Sequence, residues 1–118
     1  MRRLRVLVAE DEGLVAMLLE DMLDDLGCEV ACSAATVAEA MRWLGDGGQA
    51  DAALLDVNMA GENVWPVADA LAARRVPFAF TSGYGQLNEA RFRDAPLLSK
   101  PINEERLEEV LRLFAGEV

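Results

Sequence analysis

Five short apolar runs, separated by longer segments with helical periodicity, are the feature that most constrains how this chain can fold. Each run is almost continuously apolar and ends at a polar or glycine-containing break, which predicts a buried strand. The runs are Leu4–Ala9, Cys28–Cys32, Ala52–Asp56, Val76–Ser82 and Leu97–Ser99. Strands without a polar face are typical of parallel sheets that helices cover on both sides.

The segments between and after these runs predict helices. Apolar residues recur at helical spacing in four of them, and Gly27 and Asn103 are suited to end the first helix and to cap the last. The apolar stripes comprise Leu14, Val15, Leu18, Leu19, Met22, Leu23 and Leu26; Val37, Met41 and Leu44; Val64, Val67, Ala68 and Leu71; and Leu107, Val110, Leu111 and Phe114. The segment Gln86–Ala95 is polar and predicts a weaker helix.

This alternation predicts an α/β domain with a doubly wound, five-stranded parallel sheet and flanking helices. A length of 118 residues is enough for one domain but not for two, so we expect a single domain over residues 1–118. Ligands of such sheets bind at the carboxyl ends of the strands.

Charge and composition exclude several classes of function. The net charge of −10 disfavours binding to nucleic acid or to anionic membranes, and no apolar stretch is long enough to span a bilayer. Cys28 and Cys32 have no histidine or second cysteine pair with which to form a zinc site. We interpret them as buried, reduced thiols, which indicates a cytoplasmic protein.

Polar residues collect at the predicted carboxyl ends of the strands. They are Glu10 and Asp11 after the first strand, Asp56 after the third, Thr81 and Ser82 at the end of the fourth, and Lys100 after the fifth. Taken singly, an acidic run at a helix start or a Lys-Pro loop is ordinary. Their common position at one edge of the sheet favours a functional site.

Three carboxylates at close range raise one another's pKa unless a cation lies between them. The predicted ligands are Glu10, Asp11, Asp56 and the backbone carbonyl of Asn58. Because all of these are oxygens, they favour magnesium or manganese over zinc or copper. Such a site also suits phosphoryl transfer, with Asp56 as the nucleophile, and with Lys100 and a hydroxyl of Ser82 or Thr81 holding phosphoryl oxygens.

These spaced motifs resemble the receiver domain of two-component response regulators over the whole chain. The stretch Pro77-Phe78-Ala79-Phe80-Thr81-Ser82-Gly83-Tyr84-Gly85 further resembles the signature of the "FAT GUY" single-domain receivers, as do residues 56–58 and 65–71. When the chain is aligned with that signature, the hydroxyl that holds a phosphoryl oxygen is that of Ser82, and Thr81 remains the alternative. The resemblance implies a flavodoxin-like strand order of 2-1-3-4-5 and a cis peptide before Pro101.

The resemblance also implies an aspartyl-phosphate switch. A sensor histidine kinase or a histidine phosphotransfer protein would phosphorylate Asp56 with Mg²⁺, and the domain would then change its contacts with an unknown downstream protein. We expect a single receiver domain with no output domain, which would signal through protein contacts or phosphate shuttling. We also expect a monomer or weak dimer.

The chain departs from the family pattern at several positions. Glu10 replaces the commoner aspartate, and Leu97 stands where many receivers carry an aromatic switch residue. Tyr84 is a candidate to replace that aromatic ring. Trp65, which lies off the apolar stripe of the third helix, is either a contact residue or a partly exposed tryptophan near a turn. The polar segment after Tyr84 suggests a fourth helix that is short or mobile until phosphorylation or a partner orders it.

Three other functions remain as alternatives. A flavodoxin-like electron carrier needs a hydroxyl-rich phosphate loop after the first strand, where this chain carries Glu10-Asp11-Glu12. An aspartate-nucleophile phosphatase needs a general acid two residues after the nucleophile, where Asn58 cannot donate a proton. The domain could also act as a phosphate sink or shuttle in a phosphorelay.

Overall fold

A computed structural model describes residues 3–83 and 89–116 and shows a parallel sheet between two layers of helices. Its strands are β1 (Arg5–Ala9), β2 (Glu29–Ala34), β3 (Ala52–Asp56), β4 (Phe78–Ser82) and β5 (Leu97–Ser99). They pair in the order β2-β1-β3-β4-β5, and every pair is parallel. The predicted fold class and strand order are therefore confirmed.

Four helices connect or follow the strands: α1 (Gly13–Asp25), α2 (Val37–Gly45), α3 (Trp65–Ala73) and α4 (Glu104–Phe114). The Asn103 side chain caps α4 by accepting a hydrogen bond from the Arg106 N–H at 3.1 Å, as its sequence position predicts. In the part of the chain that the structure describes, no helix has the length and apolar character needed to cross a bilayer.

The predicted helix between β4 and β5 is largely wrong. Within residues 89–95 the structure shows only one turn of 3₁₀ helix, Ala90–Phe92, while 86–88 lie outside the described residues. A helix needs an apolar face to bury, and Phe92 is the one buried residue of this turn. A single anchor does not support several helical turns.

The sheet separates two apolar cores. One face packs against α1 and α4 and is called the α1/α4 face; the other packs against α2 and α3 and is called the α2/α3 face. Successive residues of each strand alternate between them, so that Leu54 of β3 lies on the α1/α4 face and Leu55 on the α2/α3 face. This alternation decides which side chains can meet at the end of the sheet.

The two cysteines lie on opposite faces. Cys28 is buried in the α1/α4 core, whereas Cys32 is partly buried and packs against the α2/α3 core. With the sheet between them, their thiols are not placed to form a disulfide with each other. Burial raises the pKa of both thiols, so both are neutral and weakly reactive.

The apolar stripe predicted for α1 is too wide. Leu14 and Leu18 were expected to face the core, but they are 73% and 56% exposed, and their neighbour Met17 is 60% exposed. The sheet covers only the side of α1 that carries Ala16, Leu19 and Leu23. Met41 of α2 likewise lies at the rim of its core, with 36% of its surface exposed.

Candidate functional site

The carboxyl edge of the sheet brings Asp56, Glu10 and Lys100 into contact. The Lys100 Nζ lies 2.9 Å from Glu10 Oε1 and 3.2 Å from Asp56 Oδ2. Glu10 and Asp56 are only 3% and 5% exposed. The contact with Asp56 is a hydrogen bond, whereas the one with Glu10 Oε1 is an ion pair without hydrogen-bond geometry. One ammonium therefore holds two buried carboxylates.

Strand alternation explains why these three side chains meet. Asp56 is the residue after Leu55 in β3, and Glu10 follows Ala9, the last residue of β1; both predecessors lie in the α2/α3 core. Asp56 and Glu10 therefore belong to the α1/α4 face. Lys100 reaches the same face two residues after Leu98, and the Lys100–Pro101 peptide is cis, as predicted.

The Asp56 carboxyl has a pKa raised to about 7. Burial is the main cause, followed by the nearby carboxyls of Glu10 and Asp11, while Lys100 acts in the opposite direction. One Asp56 oxygen also accepts a hydrogen bond from the Asn58 N–H, at 3.2 Å. Without a further cation Asp56 is thus about half protonated near neutral pH, which weakens it as a nucleophile.

Lys100 is tied into the site by its acidic neighbours. Burial alone would lower its pKa, but the contacts with Glu10 and Asp56 outweigh burial and raise it. Exposed Glu12 adds a third carboxylate, whose Oε1 lies 3.6 Å from the ammonium. Lys100 therefore stays charged over the whole physiological pH range.

Asp11 joins the cluster through the loop that follows β3. Residues Asn58–Met59 and Glu62–Asn63 form a short antiparallel hairpin around Ala60 and Gly61, whose φ angles are 53° and 88°. The Ala60 N–H donates to Asp11 Oδ2 at 3.1 Å. Burial raises the pKa of Asp11, but hydrogen bonds with Asp56, Glu10 and this N–H outweigh it and leave the pKa lowered.

Sequence analysis missed the role of Ala60. A two-residue hairpin turn with positive φ at both positions favours Asn-Gly or Gly-Gly, and an alanine there gives only half of that signal. The glycine of the Ala60-Gly61 pair was the one available clue. The turn is held on its other side by Asn58, whose side-chain oxygen accepts from the Gly61 N–H at 3.0 Å.

Glu10, Asp11 and Asp56 together could hold a metal ion. Each offers a carboxylate oxygen, and these three oxygens lie within 4.8 Å of one another. Three carboxylates around one lysine leave an excess of negative charge that a dication would neutralise. Because the donors are all carboxylate oxygens, the cluster fits a hard cation.

The two hydroxyl candidates, Thr81 and Ser82, are the last two residues of β4. Both are buried, and Thr81 pairs in register with Asp56 on the α1/α4 face. Ser82, one residue later, pairs with Ser99 of β5, and its carbonyl accepts a hydrogen bond from the Lys100 N–H at 2.9 Å. Among the described residues the buried Thr81 Oγ1 has no hydrogen-bond partner, which costs about 1–3 kcal/mol.

Aromatic rings surround the α2/α3 side of this edge. Trp65 packs edge-on against Phe80 at 5.5 Å between ring centroids and against Phe92 at 5.7 Å. Trp65 is therefore a half-buried part of the core, not an isolated surface residue. Leu97 pairs with Phe80 in the sheet, at the position of the expected aromatic switch. Tyr84 lies outside the described residues.

Comparisons with known proteins agree on one family. The model of the response regulator receiver domain matches residues 6–112. A solution structure of SdrG from Sphingomonas melonis Fr1 is 42% identical, with a TM-score of 0.85 and coverage of 98% of this chain and 99% of that one. No curated protein sequence shows significant similarity to the chain.

Two further solved structures extend the comparison. The BeF₃-activated conformation of SdrG, described as from Pseudomonas melonis Fr1, is 42% identical over the full length of both chains, with a TM-score of 0.77. The receiver domain of PhyR from Erythrobacter litoralis is 28% identical, with a TM-score of 0.85 and coverage of 97% of this chain and 91% of that one. The chain is thus similar to both solution structures of SdrG.

Proposed function

The chain belongs to the response regulator receiver family, and on that basis we propose that Asp56 accepts a phosphoryl group from a phosphohistidine of a partner protein. The observation that carries this proposal is the buried Asp56 carboxylate, 3.2 Å from the Lys100 ammonium and beside the acidic pair of Glu10 and Asp11. The nucleophile thus already lies between a positive ammonium and a pair of carboxylates in the protein without substrate.

Each residue has a defined task in this proposal. The Asp56 oxygen attacks phosphorus, and Lys100 turns part of its hydrogen bonding from Asp56 to a phosphoryl oxygen. Ser82 donates its hydroxyl to a second phosphoryl oxygen. Glu10, Asp11, Asp56 and the carbonyl of Asn58 would hold Mg²⁺. When bound, Mg²⁺ supplies positive charge that keeps Asp56 ionised and neutralises the transferred group.

The proposed output is a change in protein contacts. Leu97 cannot serve as an aromatic switch, and Tyr84 is our proposed substitute on sequence grounds. The Asn58 side-chain oxygen accepts a hydrogen bond from the Gly61 N–H, and its amide cannot serve as the general acid of a phosphatase. Both points favour signalling over phosphatase turnover.

The exposed apolar side of α1 is the proposed docking surface for the phosphohistidine donor. Leu14, Met17 and Leu18 are each more than half exposed, next to Asp11 and Lys100 of the site. An apolar cleft continues from Leu18 to Pro101 and Ile102. Contiguous exposed apolar residues of this kind mark protein interaction sites, and this one adjoins the nucleophile. The donor would meet it in the cytoplasm, where the two thiols stay reduced.

Phosphorylation by a small donor tests the chemistry directly. Wild-type protein incubated with phosphoramidate and Mg²⁺ is expected to gain one phosphoryl group, seen as a mass increase that hydroxylamine removes. Asp56→Asn is expected to gain none, and omission of Mg²⁺ should suppress the wild-type reaction. Equal labelling of wild type and Asp56→Asn would refute the assignment of the nucleophile.

A second measurement separates docking from chemistry. Leu18→Asn is expected to lower phosphotransfer from autophosphorylated histidine kinases of the same organism by at least about fivefold, the loss expected for an apolar anchor of an interface. Its labelling by phosphoramidate should not change. Leu113→Asn, which alters an exposed leucine of α4, is the matched control. A fall in both reactions of Leu18→Asn would show a damaged site instead of a lost docking contact.

A further inference from the structure

The unpartnered hydroxyl of Thr81 is the feature of the site that the proposed function leaves unused. Thr81 is 1% exposed, and its Oγ1 has no hydrogen-bond partner within residues 3–83 and 89–116. Buried hydroxyls are nearly always hydrogen-bonded, so an orphan beside a reactive group indicates a partner in another state of that group. Its register partner on the neighbouring strand β3 is Asp56.

Thr81 and Asp56 occupy adjacent positions on the same face of the sheet. They pair in register between β4 and β3, and the Val57 N–H donates to the Thr81 carbonyl at 3.0 Å, which locks this register. Neighbouring strands lie about 4.8 Å apart, so the Thr81 and Asp56 side chains are adjacent, and rotation about χ1 can turn the Thr81 hydroxyl towards Asp56.

We infer that Thr81 donates a hydrogen bond to the Asp56 oxygen that leaves phosphorus during dephosphorylation, and that it thereby sets the lifetime of the phosphoryl group. This inference rests on the proposed function. The two hydroxyls then have different acceptors. Ser82 donates to a phosphoryl oxygen, and Thr81 donates to the Asp56 carboxylate.

The chemistry gives this hydrogen bond a direction of effect. In dephosphorylation the oxygen of a water molecule attacks phosphorus, and the bond between phosphorus and the Asp56 oxygen breaks. The electron pair of that bond stays on Asp56, while the protons of the water remain with the released dihydrogen phosphate. Negative charge therefore develops on the Asp56 oxygen. A hydroxyl donor strengthens its hydrogen bond as that charge grows, which accelerates bond cleavage.

Matched variants of Thr81 separate its hydroxyl from its shape. Thr81→Val keeps the shape and removes the donor, whereas Thr81→Ser keeps the donor and removes a methyl group. Each protein is phosphorylated with phosphoramidate and Mg²⁺, and the unreacted phosphoramidate is then removed. Loss of the phosphoryl group is followed over time. We expect Thr81→Val to retain the phosphoryl group about tenfold longer than wild type, as the loss of one hydrogen bond to a charged group implies. Thr81→Ser should stay within about twofold of wild type.

A purely structural role predicts the reverse pattern, with Thr81→Val equal to wild type and Thr81→Ser altered through lost packing. That result, or equal lifetimes in all three proteins, overturns the inference. Thr81→Ala supplies a second protein without the hydroxyl, and its lifetime must agree with that of Thr81→Val. Failure to label the wild type at all would instead overturn the proposed function and this inference together, so the two failures are distinguishable.

Discussion

The two ends of the sheet handle charge in opposite ways. At the amino end, Arg5 pairs with Glu29 at 2.9 Å, and both side chains are more than 40% exposed. Arg74 donates to the Leu44 carbonyl at 2.9 Å, at the carboxyl end of α2, where a cation is favourable. The Arg5–Glu29 pair is thus in contact with water, and Arg74 is bound by backbone carbonyls.

At the carboxyl end the charges are not balanced, and two of the carboxylates are not solvated. Lys100 faces the carboxylates of Glu10, Glu12 and Asp56, and the side chains of Glu10 and Asp56 are 0% and 6% exposed. Buried charges of one sign cost stability, whereas exposed pairs contribute little. The amino end therefore contributes charge pairs that cost little, whereas the carboxyl end keeps buried charges at a thermodynamic cost, as the proposed phosphoryl transfer would require.

Lys100→Met is expected to have the largest effect on this comparison. It removes the ammonium from two buried carboxylates, so the free energy of unfolding at pH 8 without divalent metal should fall by about 3 kcal/mol. At pH 5 the loss should be smaller, because Asp56 can take up a proton. Urea denaturation at the two pH values measures both.

Lys100→Arg is the matched control for that loss, since it keeps the charge in the same position. It should retain most of the stability that Lys100→Met loses. A loss below about 1 kcal/mol for Lys100→Met at pH 8 would mean that this ion pair is no more important than the exposed pairs at the amino end.

Asp56→Asn should stabilise the metal-free protein. The pKa of Asp56 is raised from 3.8 to about 7, so the folded state holds a proton that the unfolded state releases. The free energy of unfolding of the wild type therefore falls as pH rises from about 4 to about 7, and Asp56→Asn removes this contribution to the fall. We expect the variant to be more stable by about 2 kcal/mol at pH 8, with a smaller gain at pH 5.

Thermal and urea unfolding of both proteins across this pH range would check the sign. The informative quantity is the difference between variant and wild type, because carboxyls outside the cluster of Glu10, Asp11 and Asp56 titrate equally in both. A difference that does not grow between pH 5 and pH 8 would contradict a raised pKa at Asp56.

Sequence reasoning succeeded where a residue's position follows from strand order alone. Parallel strands bring their carboxyl ends to one edge of the sheet, independently of how the helices pack. Asp56 ends one such strand, and Glu10 and Lys100 directly follow two others. It failed where neighbours decide the outcome. Leu14 and Leu18 fit a helical stripe, but the width of the sheet determines how much of α1 is covered. The hydrogen bond from Ala60 to Asp11 depends on a turn with positive φ angles, and an alanine at that position does not predict such a turn.

Magnesium should stabilise the wild type and reduce its loss of stability at high pH. At a concentration ten times its dissociation constant, Mg²⁺ is expected to raise the free energy of unfolding by about 1.4 kcal/mol at pH 8. Asp11→Asn should lose most of this gain, because it removes one of the three clustered carboxylates. Asp51→Asn, which alters an acidic residue at the amino end, should keep the gain in full. Equal gains in the two variants would mean that magnesium binds elsewhere.

Arg5→Met tests the amino end and should have the smallest effect. It removes the ion pair with Glu29, but both side chains are well solvated, so the expected loss is below about 1 kcal/mol and should shrink further at high salt. The backbone hydrogen bond from the Arg5 N–H to Asp51 Oδ2 at 2.9 Å does not depend on the side chain and should persist. Denaturation at low and high ionic strength measures the effect. A loss as large as that of Lys100→Met would remove the contrast between the two ends of the sheet, because exposed and buried charges would then contribute alike.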